Sequence, residues 1–134
     1  MKCLHLFLIK RAVAILFVVG VASAWAGEHG GVATPQPMQF IVNIGTSMAT
    51  TRVLLVTIVP EFAHADAALR LAAIRPKVLH RIILVLSSEE VGILQTLKGK
   101  QDLQERLVTE LNGLINETRE SGVSEVFFTN FIIQ

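Results

Sequence analysis

The sequence predicts an α+β fold, a small and mainly antiparallel sheet packed against a kinked helix and a C-terminal helix. Three observations carry this expectation. Residues 38–44 alternate with the two-residue period of strands, and residues 52–59 form a second, largely apolar strand segment ahead of Pro60. Leu103, Leu107, Leu111, Leu114 and Ile115 recur at the spacing of one helix face. Residues 123–134 are rich in β-branched and aromatic side chains and contain no turn former. The order strand, strand, helices, strand gives a helical layer on a sheet.

Taken in order, Met38, Phe40, Val42 and Ile44 share one strand face. Residues 45–51 read as a turn, and the second strand is expected to stop at Pro60, so the two strands form an antiparallel hairpin. Asp66 is an N-cap candidate for a helix through Arg75, where Pro76 enforces a kink or a break. The helix resumes to Ser87. Ser87 and Glu90 have the spacing of a capping box opening a short helix to about Gln95. The last helix is expected from Gly99 to Glu117. In the closing strand both alternating sets are largely apolar, which predicts a strand covered on both faces.

The N-terminal part has a different character. Lys2, Lys10 and Arg11 precede fifteen uncharged residues, 12–26. Ala22 and Ala24, then Ala24 and Ala26, give the small-x-small spacing of signal-peptidase sites. Fifteen helical residues span about 22 Å, short of the ~30 Å hydrocarbon core. Residues 1–26 therefore read as a signal peptide or an N-terminal membrane anchor, 27–37 as a linker, and 38–134 as an exported domain. Without residues 1–26, nine Lys and Arg remain against eleven acids, a formal charge of −2. Nothing in that balance supplies the basic stripe of a nucleic-acid binder. Cys3 is the only cysteine, so the domain has no disulfide.

Three stretches resemble the FliL family of flagellar basal-body-associated proteins. Val123, Val126, Phe127, Phe128, Thr129, Phe131 and Gln134 occupy the places of that family's closing Val-x-x-Val-aromatic-Phe-Thr-x-Phe-x-x-Gln run. Residues 76–88, opening at Pro76 and closing on Ser87 and Ser88, are similar to its proline-led apolar helix. Gly99, Lys100 and Leu103, followed by Leu107, Leu111 and Asn112, are similar to its second helix. The resemblance runs from about residue 38 to residue 134 in the family's order. It implies a stomatin-like domain on the periplasmic side of the inner membrane, usually held by a retained anchor. It also implies a flagellar stator B-subunit (MotB-like) as partner, a homo-oligomeric ring, and a role in flagellar rotation and swarming. It offers no catalytic residues and no cofactor. The other reading is an exported, soluble FliL-related binding module not tied to motility; a cleaved leader would favour it.

Ile82, Ile83, Leu84, Val85 and Leu86 form an unbroken apolar run in a helical context, pointing all round the axis. Burial between the sheet and the last helix is the preferred reading, and self-association the alternative. His5, His29, His64 and His80 lack metal-ligand spacing. Ser87 and Ser88 beside Glu89 and Glu90 lack a nucleophile elbow, and Gly99-Lys100 lacks the phosphate-loop frame. Arg70, Arg75, Lys77 and Arg81 read as a solvated basic face rather than a docking surface. Asn116, Glu117 and Thr118 match an N-glycosylation acceptor. No enzyme chemistry is assembled by these patterns.

Overall fold

The computed structural model describes residues 36–45 and 52–134. Two strands come first, β1 (Met38–Ile44) and β2 (Arg52–Phe62). Four helices follow: α1 (Ala65–Ala73), α2 (Arg75–Ser87), α3 (Val91–Leu94) and α4 (Leu97–Ile115). The last element is β3 (Val123–Ile133). The sheet has the order β1-β2-β3 and both pairings are antiparallel. The expected α+β class is thus borne out.

One face of the sheet carries the core. Phe40, Val42, Ile44, Leu54, Val56 and Ile58 are buried against Leu71, Val78, Ile82, Leu86, Leu103, Leu107 and Leu111. α2 packs on β1, α4 on β3, and α1 on β2. Buried apolar area is the main stabilising term here, at about 25 cal/mol per Å².

Pro60 does not end β2, contrary to expectation; the strand continues to Phe62. The register explains why. β1 begins opposite Ile58, so among the described strands Pro60 is paired with β3 alone, through Val126. A proline is tolerated where one side of a strand has no neighbour to receive its N–H.

The helices also differ from the sequence reading in their caps. The break expected at Pro76 falls at Ile74, which ends α1 and opens α2. Pro76 lies in the first turn of α2, where a missing N–H costs no hydrogen bond. His64, not Asp66, occupies the N-cap position of α1, and Asp66 sits in its first turn. The Ser87–Glu90 capping box does not form. Val85 and Leu86 pack inward and carry α2 through Ser87, and Ser88 Oγ then donates to the Val85 carbonyl at 2.8 Å. Thr96 caps α4, accepting from the Gly99 N–H at 2.9 Å. Asn116 ends α4 in the left-handed region, a conformation asparagine adopts readily. That accounts for an asparagine at the start of the glycosylation-like triplet.

The expectation that β3 is covered on both faces is overturned. Phe127 and Ile132 are each 42% exposed. The apolar character of both alternating sets arises instead from two bulges. Thr129 is skipped between the Asn130 and Phe128 pairings, and Ser124 between those of Glu125 and Val123. Each extra residue reverses the alternation. The core-facing set is therefore Val123, Val126, Phe128, Phe131 and Ile133, mixed in parity.

This inverted parity has a direct test. Val126→Asp, at a fully buried position, is expected to cost several kcal/mol, whereas Phe127→Asp on the next residue leaves the thermal midpoint nearly unchanged. Melts followed by circular dichroism would refute the bulged register if the two variants lost equal stability.

Candidate interaction surface

Many of the family-motif side chains lie along α4 and β3, whereas Pro76, Ser87 and Ser88 stand at the two ends of α2. Asn112 is buried, and its side-chain amide binds the main chain of Val123 at both ends. Nδ2 donates to the Val123 carbonyl at 2.9 Å, and Oδ1 accepts the Val123 N–H at 2.7 Å. Gly122 lies so close that a Cβ there would overlap Oδ1 of Asn112. A polar residue next to Leu111 on an otherwise apolar helix face was the sequence signal for this contact.

Further along, the Lys100 ammonium stands over the Phe131 ring, 5.1 Å from its centroid. Phe131 in turn meets Phe128 edge-to-face at 5.3 Å. Leu103 is buried beneath them. Gly99 is buried where α4 starts against α3; a Cβ would collide with the Ile93 carbonyl. Gly99 and Lys100 thus serve packing rather than phosphate binding. Thr129 is the bulge residue, and Gln134 exchanges two main-chain bonds with Val53, each 2.9 Å long.

Glu89 is 6% exposed and pairs with Arg106 at 2.5 Å. Burial holds its carboxyl above the usual 4.5, opposed by the charge and hydrogen bond of Arg106 and reinforced by Asp102. Its carbonyl also receives the Gly45 N–H at 3.1 Å, tying the end of β1 to the helices. The sequence reading placed Glu89 near a nucleophile candidate; the structure places it in a structural ion pair.

The apolar run of α2 divides. Ile82, Val85 and Leu86 are buried, while Ile83 and Leu84 stay exposed. The basic set is partly neutralised from α4 and the segment after it: Arg70 meets Glu117 at 2.6 Å and Arg81 meets Glu110 at 3.4 Å. Ser121 also donates to the Glu117 carboxylate, which, more than Arg70, holds that group below its usual value. Among the described residues no cluster of three His, Cys, Asp or Glu could hold a metal ion, and no helix is long and apolar enough to cross a membrane. Lys2, Lys10, Arg11, Ala22, Ala24 and Ala26 lie outside the described residues.

Two surfaces were not anticipated. The outer face of the sheet carries Ile41, Val53, Phe127 and Ile132, all exposed, with Leu55 and Val59 half-buried among them. Ile41, Leu55 and Ile132 lie side by side across the three strands. At one end of this face Glu61 and Glu125 sit directly opposite each other. Separately, an apolar hollow of about 160 Å³ opens between α1 and the ends of β1 and β2, lined by Met38, Pro60, Phe62, Leu71 and Val78 with Arg75 beside them.

Among the described residues, then, the domain has two layers, with an apolar outer sheet face that none of the described helices covers. The family model for the flagellar basal body-associated protein FliL matches residues 35–134. The chain belongs to the FliL family, a structural family of the flagellar basal body. It is 28% identical over 95 residues to the flagellar protein FliL of Aquifex aeolicus (strain VF5), an alignment covering 71% of this chain and 56% of that protein. The chain therefore spans a little over half the length of this curated relative.

Two outcomes follow. Asn112→Ala strips two buried main-chain groups of their partners and is expected to cost about 2–4 kcal/mol in denaturant melts. The fold raises the Glu89 carboxyl above its unfolded value, chiefly by burial, so its stabilising contribution is full below the unfolded value and is lost as pH rises through the folded one. Glu89→Gln should consequently gain stability relative to the parent as pH is raised from 4 toward 7, in paired melts across that range.

Proposed function

We propose that the protein is a flagellar motor accessory protein that associates with the stator on the periplasmic side of the inner membrane. It works by assembly rather than by chemistry. Its partners are the stator B-subunit and further copies of itself in a ring, and its contribution is to keep the ion-conducting stator engaged under load and during swarming. The observation that carries this reading is the family match over residues 35–134, which takes in every described element. The basic, uncharged-run start of the sequence supports an origin at the inner membrane, either as a retained anchor or as an export signal. Exposed Ile83 and Leu84 on α2 offer one contact for assembly.

The same leader favours a second reading. Its length and small-x-small spacing suit cleavage, and a cleaved chain would act as a soluble periplasmic binding module detached from motility.

Loss of the protein is expected to leave filaments assembled but to weaken swimming in viscous medium and swarming on agar. Crosslinking in motile cells should recover the protein with itself and with the stator B-subunit. Normal motility at every load, without a stator crosslink, would favour the detached module.

A further inference from the structure

The basic residues of α1 and α2 do not share one fate. Arg70 is held by Glu117 and Arg81 by Glu110, whereas Arg75 and Lys77 have no ion-pair or hydrogen-bond partner among the described residues. Lys77 stands two positions beyond Arg75, about 200° round the helix axis, and so occupies the other flank. Of the four, Arg75 alone lines the hollow between α1 and the ends of β1 and β2.

The walls of that hollow are apolar. Met38, Phe62, Leu71 and Val78 form them, and among the described residues no acidic side chain lines it. Its volume of about 160 Å³ is close to that of the ~150 Å³ apolar cavities that admit benzene. Water within it finds few polar partners and is readily displaced. Leu69, 64% exposed, continues the apolar wall outward along α1. A recess, an apolar lip and one unpaired guanidinium suit a molecule with one apolar tail and one anionic head. The tail gains by leaving water. The planar fork of Arg75 can donate to two oxygens of a carboxylate or phosphate at once.

We propose that this hollow binds a single-chain anionic amphiphile, its tail held between α1 and the ends of β1 and β2 and its carboxylate or phosphate on Arg75. One recess and one cation admit one molecule per chain. A neutral amphiphile of the same length lacks the head contact and binds less tightly, and a cationic one is repelled. A free fatty acid and an anionic lipid of a bilayer present the same chemistry, a chain ending in an anion. The ligand is a small molecule rather than a protein, which goes beyond the motor role. Neither a stator crosslink nor a motility defect bears on it.

Methyl NMR of the full chain, with its methionine methyls labelled and the protein held in phosphatidylcholine nanodiscs, tests this with octanoate as the probe. Met38 lines the hollow, and its signal is assigned with Met38→Leu; Met1 and Met48 serve as references. Octanoate should shift the Met38 methyl saturably, octanol only at higher concentration, and octylamine not at all. Arg75 is exposed, so Arg75→Gln leaves the core untouched; it should weaken octanoate binding about fivefold, to the level of octanol. Ala72→Phe fills the hollow from the exposed side of α1 and should abolish the shift without changing the far-UV spectrum. Phosphatidylglycerol nanodiscs separate the two sources. A Met38 signal already shifted before octanoate is added identifies a bilayer lipid, and one that still responds to octanoate identifies a free acid. No shift with octanoate in phosphatidylcholine, an equal shift with octylamine, or octanoate binding unchanged by Arg75→Gln would each overturn the proposal.

Discussion

One buried side-chain amide joins the two layers of this fold. Asn112 satisfies the N–H and the C=O of Val123 at once, standing where a neighbouring strand would otherwise stand. The consequence runs outward along β3. With Val123 fixed against α4, the bulge at Ser124 turns Val126 inward beside Pro60, and the bulge at Thr129 hands the inward positions to Phe131 and Ile133. Phe131 then lies within reach of Lys100 at the other end of α4. The helix and the strand are thereby clamped at both ends, by hydrogen bonds near Asn112 and by ring and cation contacts near Lys100.

Charge plays a smaller part. Arg70–Glu117, Arg81–Glu110, Lys98–Asp102 and Arg119–Glu105 are ion pairs with substantially exposed members. Such pairs contribute little, because solvent and salt screen them and ordering two long side chains offsets the attraction. Glu89 with Arg106 differs because the carboxylate is buried while Arg106 is half exposed, so removing Arg106 would leave a buried charge without its partner. The domain is held by its apolar core and by a few polar contacts that orient it.

How much of this the sequence disclosed depends on the range of the signal. Local periodicity located β1, α2, α4 and the broken helix at Pro76, because in each the alternation or the helical stripe is read from adjacent residues. β3 was located but its exposure was misread. Bulges at Ser124 and Thr129 depend on pairing with β2, some seventy residues away, and a strand that changes parity looks apolar on both sides when read alone. Pro60 was misread for a related reason, since its tolerance rests on where β1 begins. The run at residues 82–86 was read as buried between the sheet and the last helix, which holds for Ile82, Val85 and Leu86 but not for the exposed Ile83 and Leu84. The roles of Asn112 and of Glu89 with Arg106 were not legible, because their partners come from other elements. The family resemblance was legible because its motifs are short local runs, one each on α2, α4 and β3.

The strand order has a consequence for how the chain comes to be folded. β2 is central, and its partners arise at opposite ends of the described sequence: Met38 pairs with Ile58, but Leu54 must await Ile133. During synthesis the β1–β2 ribbon emerges first, with one flank of its most apolar strand unsatisfied until all four helices have followed. Contacts of such sequence separation close slowly, and two-stranded ribbons are marginal alone. The nascent chain is therefore aggregation-prone until β3 is made, a vulnerability of vectorial folding that the finished sheet conceals.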